Sequence, residues 1–494
     1  MTVAGSAPLY VGVDLGTQSV RALCVDGAGV VHGAGSAALT SRRDEERHEQ
    51  DPRSWWQAVG AACRQAVAGV PADAVAAVAV DGTSGTVVLT DAAGEPLSPG
   101  VMYDDTRAAD EVAEINEVGA PLWQALGYGR VQAAWALPKL RKLLRDATGA
   151  RVAHQADFVA ARLAGRPVAA DTSNALKSGC DLRAVAWPAE VFDRLGIPLE
   201  ALPDLVLPGT EVATVGAAAA AETGLPEGAS IIAGMTDGCA AQLGAGALDV
   251  GSWNAVLGTT LVLKGVTGEL VHDPLGAVYS HRAPDGGWLP GGASSTGAGA
   301  LTARLAGCDL DALADRAGGY EPSSALAYPL AASRGERFPF VAPEATGFVI
   351  GDAVDDVDLY AALVQGIAYV ERLCFDYLDL LQAPTCGRLV LTGGAARSRY
   401  FCQLRADVLG RPVTLVDNAE PALGMAVLAA YGVGAGSLPE CASRMVRVTE
   451  TLEPSDRRGE VFKEPYARLV DELRVRGWLD ARTAAHALER ASAR

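Results

Sequence analysis

Two stretches of this chain repeat one arrangement of residues. Val11-Gly12-Val13-Asp14-Leu15-Gly16-Thr17-Gln18-Ser19-Val20 runs from an apolar strand through a Gly-Thr turn into a second strand. Trp253-Asn254-Ala255-Val256-Leu257-Gly258-Thr259-Thr260-Leu261-Val262-Leu263 does the same downstream. Glycine permits close backbone approach, and successive N–H groups in a turn form an anion-binding nest, so the pair suits a polyphosphate. Asp14 stands beside the first turn. A carboxylate there repels phosphate unless a hydrated Mg²⁺ sits between them, so a metal-associated residue and an exposed turn residue both fit. Asp237 lies between an apolar strand and a Gly-Cys-Ala-Ala helix start. That position fits a helix N-cap, and it fits a general base that takes a proton from an attacking hydroxyl. Ser84 and the run Tyr103-Asp104-Asp105-Thr106-Arg107 offer hydroxyls, carboxylates and a guanidinium suited to a polyol, while the aspartate pair also fits a solvated helix start. Gly393-Gly394-Ala395-Ala396-Arg397-Ser398 reads as a plain tight turn or as a surface for a flat base or ribose, with Phe401 as an aromatic neighbour.

The elements that must position these groups follow from periodicity and turn residues. Leu9–Val13, Ser19–Val25 and Val30–Ala37 read as strands, with Asp26–Gly29 as a turn. Asp51–Val67 reads as a helix with Pro52 in its first turn and Trp55, Trp56, Val59, Cys63 and Val67 largely on one face. Ala74–Val80 is a buried strand that runs into Asp81-Gly82-Thr83-Ser84-Gly85-Thr86. The stretch Thr106–Leu144 is expected to be mostly helical. Ser230–Ala233 leads to Asp237; Ala277–His281 and Trp288–Gly291 form a strand pair; and Gly291–Gly299 enters a helix. Asp358–Leu381 reads as a long amphipathic helix, and Arg388–Leu391 as a strand ending at the glycine pair. The programme of strands, helix, strand and helices therefore occurs twice. A domain boundary is expected near Gln242–Val250. Tyr466, Leu469, Val470 and Leu473 place an amphipathic helix near the C-terminus.

Bulk composition narrows the function. At 494 residues the chain is too long for one ordinary core. Its net charge of −18 argues against nucleic acid or an anionic membrane as the main partner. Nine cysteines without a CxxC pair, and no signal-peptide pattern in Met1–Pro8, point to free thiols in a cytoplasmic protein. No apolar run approaches the roughly 18 residues of a membrane span. The six histidines lack metal-ligand spacing, so no structural zinc is expected.

In order and spacing, the stretches GVDLGTQSVRA, DGTSGTVVL, MYDDTRA, AGMTDGCAAQLGAGA, LGTTLVLKG, GGWLPGGASSTGAG, LVQGIAYVER and LTGGAARS resemble the FGGY family of carbohydrate kinases. The resemblance runs from about Leu9 to Tyr431. It implies an α/β fold of two actin-like (ribonuclease H-like) ATPase domains with a central cleft, taken as 1–245 on the sugar and phosphate side and 246–440 on the nucleotide side, with a helical extension over 441–494. It implies transfer of the ATP γ-phosphate, with Mg²⁺, to the terminal hydroxyl of a small-molecule sugar. Carried over by position, Asp14 is the metal-associated aspartate and Asp237 the catalytic base, itself touching the sugar. Thr17, Gln18, Ser19, Gly258, Thr259 and Thr260 are the phosphate clamp. Gly297, Gly393, Gly394 and Ser398 belong to the nucleotide site, and Ser84, Tyr103 and Asp104 match sugar-contact positions. The assembly is left open, a homodimer being the one the resemblance offers.

The chain departs from the family's xylulokinases at the sugar. They carry Gln-Met-His-Gly where this chain has Gly82-Thr83-Ser84-Gly85, and Trp-Asn-Asp where it has Tyr103-Asp104-Asp105. A serine is shorter and uncharged, so the pocket is expected to be reshaped. Together with Ser173–Lys177 and Ser333–Phe338, the element Asp81-Gly82-Thr83-Ser84-Gly85-Thr86 looks closer to a D-ribulokinase-like branch. The third glycine of the adenosine turn is Ala395, and the family's Lys-x-Trp signature reads Lys139-Leu140-Arg141-Lys142. The expected acceptor is a ketopentose, D-ribulose or D-xylulose. L-ribulose or a glycerol-like polyol remains the alternative, with an actin-like ATPase switch as the rival that needs no sugar.

Overall fold

A computed structural model describes residues 7–493 as two compact units. The first gathers the chain to Leu248 with His281–Leu289 and Asn418–Arg447; the second gathers Asp249–Ser280, Pro290–Asp417 and Val448–Arg494. The linear division at 245 and 440 is simpler than this pattern, because the chain returns to the first unit after Asp417. The last segment is also more than an appended helix. Val448–Leu452 extends the sheet of the second unit by pairing with Val413–Val416. Tyr466, Leu469, Val470 and Leu473 are fully buried in that unit's core.

The first unit is built on a six-stranded sheet ordered Glu211–Thr214, Ser230–Ile232, Val75–Val80, Leu9–Leu15, Ser19–Asp26, Val31–Ala38. Leu9–Leu15 is antiparallel to Ser19–Asp26 and parallel to Val75–Val80, which is in turn parallel to Ser230–Ile232. The unbroken apolar runs of these central strands fit a sheet covered on both faces. The helix Pro52–Val67 buries Trp55, Val59 and Cys63 in that core. A second sheet, which includes Gly100–Val101, Val87–Thr90 and Arg151–His154, supports the loops that carry Ser84 and Tyr103.

The second unit repeats the scheme over seven strands. Trp253–Leu257 pairs antiparallel with Leu261–Gly265 and parallel with Leu389–Thr392. The long helix Asp356–Leu380 is buried along most of its length.

The stretch expected to be helical from Thr106 to Leu144 is interrupted. Helices cover Val112–Ala125 and Ala136–Leu144, and the chain between them turns through Gly127 and Gly129, both at positive φ. Tyr128 between them stacks on Trp123 and meets the edge of Trp135, so aromatic packing fixes the break. All nine cysteines are free thiols. Among the described residues no helix is long and apolar enough to cross a membrane.

The helix Pro421–Gly432 approaches the sheet unusually closely. A Cβ on Gly12 would lie 1.8 Å from the Ala422 carbonyl oxygen, and one on Gly424 would lie 1.9 Å from that of Ala240. Glycine at both places lets this helix hold the strand that ends at Asp14 and the helix that begins at Asp237. Gly12→Ala is expected to destabilise the first unit by at least about 2 kcal/mol through forced backbone separation. Denaturant unfolding monitored by tryptophan fluorescence checks this.

Candidate active site

Three aspartates stand at the carboxyl ends of three adjacent parallel strands. Asp14 is the last residue but one of Leu9–Leu15, Asp81 follows Val75–Val80, and Asp237 follows Ser230–Ile232 after a short turn. The ends of parallel strands are where open α/β sheets bind ligands. Backbone bonds fix the spacing. Asp81 N–H donates to Val13 O at 2.9 Å, Gly82 N–H to Met235 O at 3.2 Å, and Asp237 N–H to Gly82 O at 3.0 Å. The turn can cross the neighbouring strand because residue 234 is glycine: a Cβ there would sit 1.8 Å from Val80 O.

This crowding of acids has an electrostatic signature. Burial, and then the charge of Asp237, push the Asp14 carboxyl up to about 6. Asp81 is fully buried, and burial followed by the charges of Asp14 and Asp237 raises it well above the usual carboxylate range. One Asp81 oxygen accepts from Leu15 N–H at 3.2 Å. The other meets no conventional donor, and the side chain within hydrogen-bonding reach is the Asp14 carboxyl. These two carboxyls must share a proton or a cation. Among the described residues no three side chains form a closed metal-ligand set. A hydrated Mg²⁺ fits such a partial site, since it takes one or two carboxylates and leaves its remaining positions to water and phosphate. Sequence reasoning missed Asp81, although an apolar strand ending in Asp-Gly was a visible signal.

The Asp237 turn is buttressed from behind. Ser173 Oγ accepts from Thr236 N–H at 3.1 Å and lies 3.2 Å from both Thr236 Oγ1 and His281 Nδ1. All three residues are buried. Asp237 itself is only partly buried, and its Oδ1 accepts from Gly238 N–H at 2.7 Å.

Ser84 follows two residues after Gly82, and its Oγ is buried without a partner. Two lysines hold its loop: Lys177 Nζ donates to Ser84 O at 3.0 Å and Lys139 Nζ to Gly85 O at 3.0 Å. Lys139 also donates to Met102 O at 2.7 Å, tying the Ser84 loop to the start of the Tyr103 loop. Burial, then the Lys177 charge, lower the Lys139 ammonium to about 7. Tyr103 is exposed. Asp104 is engaged by Arg43 at 2.8 Å and by His48 Nδ1 at 2.5 Å, bonds that hold its carboxyl below the usual range against the opposing effect of burial. The roles of Lys139, Ser173 and His281 were not read from sequence, because each acts through contacts distant along the chain.

The first Gly-Thr turn is closed by Gly16 N–H to Ser19 O at 3.1 Å, while Leu39 N–H and Gln50 Nε2 take the Gln18 and Thr17 carbonyls. The N–H groups of Thr17 and Gln18 donate to no described residue. The second unit repeats this condition: Gly258 N–H closes on Thr260 O at 3.2 Å, and the Thr259 and Thr260 N–H groups donate to no described residue. Each turn thus presents consecutive donors to an anion.

Gly258, Thr259, Thr260, Gly297 and Gly393 converge at one end of the seven-stranded sheet of the second unit. A Cβ on Gly297 would lie 2.4 Å from Thr259 O, and one on Gly393, at φ +83°, 2.6 Å from Leu257 O. Glu336 fixes the 294–297 turn by accepting from Ser295 N–H at 2.6 Å, Ser294 Oγ at 3.0 Å and Tyr328 OH at 2.8 Å. Gly394 faces open space. Ser398 caps the helix Arg399–Leu409 by accepting from Phe401 N–H at 3.3 Å. Phe401 is buried in the core, so it supplies no aromatic surface for a base; the helix periodicity turns it inward.

The folded Asp14 carboxyl, at about 6, lies above the 3.8 of the unfolded chain, so folding binds a proton there. The resulting stability is present below about pH 4 and is lost as pH rises to about 6. Asp14→Asn is expected to flatten this slope and to melt at a higher temperature than the parent at pH 8 without divalent cation. Thermal unfolding across pH 4–8 checks it.

Comparison with known proteins agrees with this geometry. The signature of the FGGY family of carbohydrate kinases, N-terminal domain, matches residues 9–244, and that of the C-terminal domain matches residues 253–433. A xylulose kinase of Streptomyces rubiginosus is 32% identical over 89% of this chain and 91% of its own length. A glycerol kinase of Dechloromonas aromatica is 29% identical over 92% of this chain and 95% of its own. The crystal structure of a xylulose kinase from Rhodospirillum rubrum superposes with a TM-score of 0.83 at 27% identity, covering 94% of this chain and 99% of that one. The repeated sheet, the twin Gly-Thr turns and the end-to-end match place this chain in the FGGY family of carbohydrate kinases, with its two-domain actin-like fold.

Proposed function

We propose that this sugar kinase transfers the γ-phosphate of ATP to the terminal hydroxyl of a ketopentose, D-xylulose or D-ribulose, with Asp237 as the general base. The observation that carries the reading is the position of Asp237. It is partly exposed, held by its own backbone N–H to Gly82 O, and set beside two carboxyls that favour a cation. Its carboxylate would accept the proton of the attacking hydroxyl. The unbonded N–H groups of Thr17, Gln18, Thr259 and Thr260 would hold phosphate oxygens, and the Gly393–Gly394 turn would take the adenosine. Mg²⁺, associated with Asp14 and Asp81, would neutralise charge on the phosphates.

The sugar contacts fall to Ser84, with its unpartnered hydroxyl, and to Tyr103 and Asp104. Relatives named xylulose kinase support the ketopentose class. Serine at position 84 supports the D-ribulose member, because it leaves room and a hydroxyl where xylulokinases place an imidazole. The glycerol kinase relative favours a polyol as the second reading.

Asp237→Ala is expected to lower sugar phosphorylation by on the order of 10²–10⁴-fold while ADP binding persists. A panel of ketopentoses and polyols with ATP, read by coupled ADP release, measures both activity and choice of acceptor. Sugar-independent ADP release that survives in the variant contradicts the kinase reading. Substantial residual phosphorylation removes Asp237 from the base role.

A further inference from the structure

The second unit holds a cavity of about 730 Å³ at the end of its sheet away from the glycine turns, lined by residues from the long helix, from Thr385–Leu389, from Arg411–Thr414 and from the C-terminal segment. Four arginines line it: Arg372, Arg388, Arg411 and Arg490. Two carboxylates share the wall, and both are already engaged. Arg490 binds Asp376 and Asp379 at 2.7 Å each, Tyr466 OH donates to Asp376 at 2.5 Å, and His486 lies 2.9 Å from Asp379. Arg411 gives one N–H to the Gly387 carbonyl.

Arg372 and Arg388 have no carboxylate partner among the described residues. Arg372 is 95% buried by its 5% exposure; it spends Nη1 on Val408 O at 3.2 Å and lies over the Tyr466 ring, while its Nε and Nη2 make no hydrogen bond. A buried cation left without a counter-charge calls for a ligand or an ion. Arg388 is exposed at the rim. Thr385, Thr414 and Thr451 add hydroxyls to the same wall.

We infer that this cavity is a binding site for a small phosphate monoester, separate from the nucleotide turns. Guanidinium groups match phosphate oxygens in pairs, hydroxyls complete the set, and the volume suits a phosphorylated sugar. The product class of a sugar kinase carries this chemistry, so the site would sense a phosphorylated metabolite.

The test is equilibrium binding of inorganic phosphate and of a pentose monophosphate to the full chain, by calorimetry, with a non-hydrolysable ATP analogue kept saturating so that the nucleotide site and the γ-phosphate position beside Asp237 are both filled. Saturable binding is expected in the parent and at least about tenfold weaker binding in Arg388→Glu, the loss of one charge-assisted contact. Arg388 is exposed, so the variant is expected to fold, and its unchanged ADP affinity confirms that it has. Thr451→Val is a second probe on a different element, expected to weaken binding less. Absence of binding under the saturating ATP analogue, or equal affinity in the parent and Arg388→Glu, overturns the site.

Discussion

The first unit is organised around a repulsion. Three carboxyl groups are brought to the ends of adjacent strands, one of them fully buried, where the charged forms disfavour one another. Backbone geometry enforces this. Gly12 and Gly424 let one helix close on both the Asp14 strand and the Asp237 helix, and Gly234 lets the Asp237 turn cross its neighbour. Side-chain freedom cannot relieve the strain, because the strand register fixes each residue. The fold thus stores an affinity for positive charge at one place, and a phosphoryl-transfer site needs such an affinity more than it needs covalent chemistry.

The surroundings can be understood by how they serve that place. Ser173 and His281 steady the residue before Asp237. Lys139 and Lys177 hold the loop of Ser84 by its carbonyls, which leaves the serine hydroxyl unengaged. In the second unit a single buried acid, Glu336, organises the turn that packs on Thr259. Positioning by buried polar groups is exacting, since each must be satisfied to be stable.

Much of this was legible in the chain because it is local. A Gly-Thr turn between two apolar strands declares a hairpin, and Pro52 followed by spaced tryptophans declares a helix. Asp14 and Asp237 stood out because each breaks an apolar pattern at a turn. Asp81 does the same, yet its meaning depends on the parallel pairing of Val75–Val80 with Leu9–Leu15, a contact across more than sixty residues. Phe401 looked like a ligand group next to a glycine pair, but helix geometry turns it into the core, while Ser398 caps the helix that follows. The return of Asn418–Arg447 to the first unit had no local signal, because the helix Pro421–Gly432 is apolar on every side and gives no sign of its partner.

If the repulsion is relieved as proposed, Asp14 and Asp81 hold a proton which a cation displaces. The direct measurement is calorimetric binding of ADP with Mg²⁺ near pH 6, in two buffers of different ionisation heat, for the parent and for Asp14→Asn. More proton release is expected from the parent than from the variant, because the raised carboxyl gives up its proton as the cation binds. Equal release from the two proteins would show that these carboxyls stay protonated or lie outside the cation site.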